Sequence, residues 1–225
     1  MLWLARFFFR SHTLIIMKEE LKIHLEKALI HYTSGPFYKR LIEAKNEYFN
    51  LTGQVNEDDE DYELRMKSFN DWYIFQFISK NSAKTVISDY ILENSLDKGI
   101  DDCFQKLNYS LFEYCGKTFR GHSNFKDILH NCKFNLSKEG NLPGLLKDDL
   151  FIGRSLKLDE NVYLLPGLCI LPREVKGVLK KESKRVRKFQ DFKKETAFLL
   201  KVESLKTKWV RYGHIKPDKI FSFDG

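Results

Sequence analysis

The chain has 225 residues, of which 43% are hydrophobic, 14% aromatic and 31% charged, with 12 Gly, 5 Pro and 4 Cys. This composition excludes an intrinsically disordered chain, a collagen-like repeat and a disulfide-stapled secreted domain. The formal net charge of +7 is unevenly distributed, because residues 172–225 carry 16 basic and 7 acidic side chains whereas residues 1–171 carry 22 and 24. We expect a cytoplasmic α+β protein with no transmembrane segment and with its excess positive charge in the last quarter.

Residues 1–16 combine a short apolar run with Arg6 and Arg10 and lack the cleavage site of a signal peptide. A helix start follows Met17, so residues 1–16 are predicted to be a non-native or disordered leader, with a membrane-surface anchor as the alternative. Residues 17–98 are predicted to be helical, because large apolar side chains recur at steps of three and four. The stripe that marks the predicted central helix consists of Tyr62, Met66, Phe69, Tyr73 and Phe77.

Residues 99–171 are predicted to form a small antiparallel β-barrel-like module, because short runs rich in aromatic and aliphatic residues alternate with turn signals. His130-Asn131 is expected to join two strands as a hairpin, since Asn tolerates the left-handed backbone of a tight turn. Residues 159–161 are expected to join a second pair. The five predicted strands lie near residues 109–114, 125–129, 132–136, 150–158 and 162–170.

Residues 172–225 are predicted to form a long basic helix with a docked tail, beginning at Pro172, where a proline is tolerated in the first turn. A break near Gln190-Asp191 is the alternative to one continuous helix. The predicted fold is therefore α+β, with a helical N-terminal layer, a small antiparallel β module and a long C-terminal helix. The residues expected to face the core from this helix are Val175, Leu179, Val186, Phe189, Phe192, Leu199 and Val202.

The positive charge is most concentrated in residues 180–194 (KKESKRVRKFQDFKK), which contain eight basic residues and only Glu182 and Asp191 as acids. If Val186 and Phe189 face the core, part of this charge forms one outward surface that can attract phosphates or an acidic partner. A solvated helix face without a partner is the alternative. The predicted basic patch consists of Lys181, Lys184, Arg185 and Lys188.

Motifs that would indicate an enzyme are absent from the sequence: it has no phosphate-binding glycine loop and no nucleophile elbow. Four potential zinc ligands lie close together in the predicted β module, but they lack the close pairing of structural zinc sites. We therefore assign no catalytic residue, no metal and no cofactor, and an enzyme is the least favoured class. The four potential ligands are Cys115, His122, His130 and Cys132.

Two long segments resemble an uncharacterised bacterial protein family: FYKRLIEAKNEYFNLTGQVNEDDEDYELRMKSFNDWY and LLPGLCILPREVKGVLKKESKR. The similarity covers most of residues 34–212. The resemblance implies a helical N-terminal half, a small strand-rich module and a long basic C-terminal helix in a bacterial, cytoplasmic protein. It implies no activity.

Two functions then compete. The first is a non-enzymatic protein-interaction or regulatory module, in which the acidic residues 57–63 (EDDEDYE) meet the basic helix within the chain or across a dimer. The second is an RNA- or DNA-binding protein that contacts phosphates through the basic patch. Phe189 and Phe192 lie between the basic residues, but the apolar stripe predicts that they belong to the core and not to a base-stacking surface.

Overall fold

The computed structural model describes residues 18–80, 82–136 and 144–223, so the predicted leader at residues 1–16 lies outside the described residues. Helices form the N-terminal part of the fold and strands the middle. The helices before the sheet are α1 (Glu19–Tyr32), α2 (Tyr38–Thr52), α3 (Tyr62–Phe75), α4 (Val86–Asn94) and α5 (Lys98–Gln105). The strands are β1 (Asn108–Lys117), β2 (Ser123–Asp127), β3 (Cys132–Leu136), β4 (Leu150–Leu158), β5 (Asn161–Leu164) and β6 (Cys169–Leu171). The helices after the sheet are α6 (Lys176–Arg187), α7 (Phe192–Arg211) and the short α8 (Pro217–Ile220).

The predicted α+β fold is confirmed, with a helical layer, a curled antiparallel sheet and a long C-terminal helix. The strand order is β3-β2-β1-β4-β5, and β6 pairs with β4 next to β5. The curl brings β3 near β5, which gives a half-barrel. Phenyl rings fill the inside of this curl, where Phe112, Phe125 and Phe151 are fully buried.

Helix α3 is the central helix of the N-terminal layer, as its apolar stripe predicts. Phe69, Tyr73 and the following Phe77 are buried, and Trp72 between them is buried as well. The Tyr73 hydroxyl donates a hydrogen bond of 2.6 Å to the carbonyl oxygen of Tyr32, at the end of α1. Burial on every side explains why this helix is apolar on more than one face.

Two elements around the sheet differ from those predicted from the sequence. Helix α5 lies where the strand-rich module was expected to begin, and the Asp97 side chain caps it by accepting a hydrogen bond from Gly99 N at 2.8 Å. The last predicted strand is two strands, β5 and β6, because Pro166 and Gly167 interrupt it. Gly167 lies against α3, and its N–H donates to Asp71 Oδ2 at 2.8 Å.

The two predicted hairpins are confirmed. Asn131 between β2 and β3 has φ 57°, and Asp159 between β4 and β5 has φ 52°, both in the left-handed region that such turns require. No helix among the described residues combines the length and the apolar character needed to cross a membrane.

The predicted long helix after Pro172 is two helices. A 3₁₀ turn at Arg173–Val175 precedes α6, and the chain breaks between α6 and α7 at the site that the sequence offered as the alternative. Gln190 has φ 49°, a left-handed conformation that ends α6. The Asp191 side chain then caps α7 by accepting hydrogen bonds from Lys193 N and Lys194 N at 2.9 and 3.3 Å.

Candidate functional site

The four residues of the predicted basic patch lie together on the outer face of α6. Leu179, Ser183 and Val186 are the buried side of this helix. An α-helix has about 3.6 residues per turn, so a side chain two positions after a buried one points roughly the opposite way. Lys181, Arg185 and Lys188 each follow a buried residue by two positions, and Lys184 lies beside Arg185. The exposed side chains of the patch are therefore Lys181, Lys184, Arg185 and Lys188.

Three of the four patch residues lack an ion-pair partner among the described residues, and Arg185 is the exception. Arg185 forms an ion pair of 2.7 Å with the buried carboxylate of Glu182. Lys181, Lys184 and Lys188 have no acidic partner among the described residues. Because three unpaired ammonium groups project from one face, the surface potential there is positive.

Lys176 and Lys180, by contrast, lie on the side of α6 that faces the sheet. Their ammonium groups contact the two oxygens of Glu113 on β1 at 2.6 and 3.1 Å. These contacts lower the pKa of Glu113, although its partial burial acts in the opposite direction. The two lysines therefore fix α6 to β1 and leave the outward face to the basic patch.

The structure corrects the prediction for Phe189 and Phe192. Their side chains are 55% and 64% exposed, although the apolar stripe placed them in the core. The prediction assumed one continuous helix, whereas α6 ends at Arg187 and α7 begins at Phe192, so the two rings do not continue one apolar stripe. The Lys194 ammonium lies 4.0 Å from the centroid of the Phe189 ring, in cation–π geometry.

We call residues 188–194 the corner. It runs from Lys188, the last residue of the basic patch, through the turn at Gln190 into the first turn of α7. The hairpin turn between β2 and β3 contacts the end of α6, next to the corner. Arg187 Nη1 donates to the carbonyl oxygens of Ile128 and Leu129 at 3.4 and 3.1 Å. The residue just before the corner is therefore attached to the sheet, and the corner itself carries two exposed phenyl rings.

His130 makes a second link between this hairpin and α7. Its Nδ1 lies 2.9 Å from the buried carboxylate of Asp127, and its Nε2 lies 3.5 Å from Glu195. The hydrogen bond to Asp127 raises the pKa of His130 above its usual value. His130 lies between two carboxylates and links the start of α7 to the hairpin.

An open apolar depression lies on the exposed side of α7, next to the end of α2. It has a volume of about 450 Å³, and we call it the α7 depression. Leu200 is buried there, whereas Leu51 and Phe192 are largely exposed. Apolar side chains dominate its surface, and lysines flank it. Its lining consists of Leu51, Phe192, Lys193, Thr196, Ala197, Leu200 and Lys201.

A buried polar network holds the side of α7 that faces the core. Glu203 is fully buried, and its two carboxylate oxygens accept hydrogen bonds from the hydroxyls of Tyr48 (2.6 Å) and Tyr109 (2.7 Å). Arg65 Nη1 lies 3.4 Å from the same carboxylate. Burial and the Glu203 charge raise the pKa of both tyrosines, so the hydroxyls stay protonated and act as donors. The network joins α2, α3, β1 and α7, which fixes the position of the exposed face of α7.

Arg154 extends this network into the sheet. Its guanidinium is fully buried, lies 4.2 Å from the centroid of the Tyr109 ring, and donates from Nε to Gln76 at 2.6 Å. Asp71 lies in the same region, and burial raises its pKa to about 7, with the charge of Arg154 acting in the opposite direction. Arg154, Asp71 and Tyr109 are all buried, and these contacts join the end of α3 to β1 and β4.

The four potential zinc ligands are not brought together. Imidazole Nδ1 of His122 lies 3.3 Å from the carbonyl oxygen of Leu136, whereas His130 contacts Asp127 and Glu195. Cys115 and Cys132 are free thiols. Within residues 18–80, 82–136 and 144–223, no group of three or more His, Cys, Asp or Glu side chains is arranged to hold a metal ion.

The acidic residues 57–63 do not reach the basic patch within the chain. The link from this segment to the C-terminal helices is the ion pair of 3.3 Å between Asp61 and Lys206, on α7. All four residues of the basic patch are exposed to solvent.

Comparison with known proteins finds no match: no family model, no curated protein and no solved structure is significantly similar to this chain.

Three features of this site were missed at the level of sequence: the exposed phenyl rings, the α7 depression and the buried network. Asp191 could have indicated that the rings are exposed. An acidic residue followed by a helical pattern is a typical helix start, and a helix start at Asp191 would have placed Phe189 outside any helix. The network has no local signal, since Arg65 and Glu203 are 138 positions apart.

Proposed function

We propose that this protein binds nucleic acid through the basic patch on α6 and the adjoining corner. The observation that carries the proposal is that unpaired lysines and exposed phenyl rings follow one another within residues 181–194, where Lys194 contacts the Phe189 ring. Lysines attract the phosphate backbone by displacing its counterions, and aromatic rings stack with bases.

The lysines alone would fit an acidic protein equally well. The phenyl rings favour nucleic acid, because Phe189 and Phe192 are exposed beside the lysines and every base offers a flat face on which a ring can stack. A protein-interaction or regulatory module, in which an acidic protein covers the basic patch, stays a prediction that the following experiment also tests.

The experiment measures the affinity of a fluorescently labelled oligonucleotide at ~50 mM salt, where electrostatic association is strong. The test variant replaces Lys181, Lys184 and Lys188 with Gln, and we expect it to bind at least about tenfold more weakly than the native chain. Its thermal melting should hardly change, because these exposed side chains have no partners among the described residues.

A matched control separates the position of the charges from their number. Lys27, Lys39 and Lys106 are also exposed and lie in the helical layer. Replacing these three with Gln removes the same three charges, and we expect the affinity to stay within about twofold of native, since distant surface charges are screened. Equal losses in both variants would contradict a localised site. No binding of RNA or DNA by the native chain would remove the proposal and leave an acidic protein as the partner.

A further inference from the structure

Building on the proposed function, we propose that the nucleic acid bound at the corner is single-stranded, with unpaired bases stacked on Phe189 and seated in the α7 depression beside Phe192. The chemistry recognised is an unpaired base followed by a phosphate, which both DNA and RNA single strands supply.

The first argument is that both phenyl rings are exposed to solvent. Phe189 and Phe192 are more than half exposed and lie on either side of the turn at Gln190. In a duplex the faces of the bases are stacked on each other, so rings at the surface cannot reach them without unstacking the helix. Strands whose bases are free can stack on such rings, and this contact tolerates any sequence.

The second argument is the composition of the α7 depression. Its floor and walls are apolar, as at Leu51 and Leu200, which suits the flat face of a base. Lys193 and Lys201 are exposed in its lining, so a phosphate next to the seated base would meet positive charge.

The third argument is continuity of charge along the path of a strand. Lys188 ends the basic patch, and Lys193 and Lys194 begin α7 directly after the turn. Lys194 already lies over the Phe189 ring, so a base on the free face of that ring would have an ammonium group on the other side. Alternation of cations and rings along one track is the arrangement found in channels for single strands.

The experiment compares the native chain with two ring variants against three labelled probes, by fluorescence anisotropy at ~50 mM salt. The probes are a thymidylate DNA strand, a uridylate RNA strand and a DNA duplex, each about 16 nucleotides long, the upper end of known site sizes. The first variant carries Phe189→Ala and Phe192→Ala, and the second carries Phe189→Leu and Phe192→Leu. The leucine variant keeps apolar side chains but removes the rings.

The result that we expect is tighter binding of single strands than of duplex, with a loss of roughly 5- to 150-fold per ring in the alanine variant. The leucine variant should lose a similar amount, because stacking and not apolar contact supplies the affinity. Phe119→Ala is the matched control: this ring is fully exposed on the β1–β2 turn, far along the chain from the corner, and its loss should leave the affinity unchanged.

The outcomes separate this inference from the function on which it rests. Equal binding of duplex and single strands, with no effect of the ring variants, would overturn the inference while keeping nucleic-acid binding through the lysines. A loss in the alanine variant that the leucine variant does not share would also overturn it, because plain apolar contact would then explain the effect. Absence of binding to all three probes would overturn the proposed function itself.

Discussion

Asp71 is a buried carboxyl group whose ionisation is coupled to folding. It is buried on α3, its Oδ2 accepts a hydrogen bond from Gly167 N, and burial raises its pKa from 3.8 to about 7. A raised pKa means that the folded state holds a proton that the unfolded state has lost. The contribution of this group to stability is therefore complete below pH 4 and is lost as the pH rises towards 7.

We predict that Asp71→Asn removes this dependence. The amide oxygen can still accept the hydrogen bond from Gly167 N, but it carries no charge at any pH. Relative to the variant, the free energy of unfolding of the native chain should fall by up to about 1.4 kcal/mol per pH unit between pH 4 and 7. Urea titrations of both proteins across this range measure the difference, and parallel curves would show that Asp71 is not protonated in the folded state.

Tyr73 tests the packing of the helical layer. Its ring is fully buried, and its hydroxyl donates to the carbonyl oxygen of Tyr32. We predict that Tyr73→Ala lowers the free energy of unfolding by ~3–5 kcal/mol, because a large cavity forms in the core. Tyr73→Phe keeps the ring and should cost only about 1 kcal/mol, the typical net value of one hydrogen bond. Equal costs in the two variants would be inconsistent with a ring that fills the core.

At the scale of elements, the turn between α6 and α7 creates the exposed rings. Gln190 ends one helix in a left-handed conformation, and Asp191 starts the next by capping its first N–H groups. The aspartate also places a negative charge at the positive end of α7, which adds to the stabilisation. The position of Phe192 therefore depends on where α7 begins.

We predict that Asp191→Ala lowers the free energy of unfolding by about 1 kcal/mol, as expected when a helix loses its capping side chain. Asp191→Asn keeps an oxygen acceptor at this position. Apart from the effect of the lost charge, its free energy of unfolding should fall by only a few tenths of the amount expected for Asp191→Ala. Thermal melting followed by circular dichroism compares them. If Asp191→Ala melts at the native temperature, the capping hydrogen bonds contribute nothing to α7.

The elements differed in how far the sequence could predict them. Asn131 and Asp159 mark their hairpins by residue type alone, because few residues accept a positive φ. Helix α5 escaped prediction because it has eight residues and contains Gly99, a poor helix former. Phe189 and Phe192 were placed wrongly because their spacing fits one helix, and only the turn at Gln190 takes them out of phase. The contacts of Glu203 come from tertiary packing, which no local pattern encodes.

On the scale of the whole molecule, the C-terminal helices carry unpaired lysines on their outer side and contacts with the rest of the fold on their inner side. The inner side of α7 holds Glu203 in the network with Tyr48, Tyr109 and Arg65, and the inner side of α6 is paired to Glu113. The outer side keeps its lysines without acidic partners among the described residues. This division places unpaired positive charge of residues 172–225 on the outer side of helices whose inner side contacts the rest of the fold.

The measurement that tests nucleic-acid binding most directly is the dependence of affinity on salt. Each phosphate contact to a single strand contributes a slope near −0.7 to the plot of log affinity against log salt concentration. We predict that replacing Lys181, Lys184 and Lys188 with Gln makes this slope shallower by about 2, whereas the same change at Lys27, Lys39 and Lys106 leaves it as in the native chain. A slope that is identical in all three proteins, or a native chain that binds no nucleic acid at ~50 mM salt, would contradict the account.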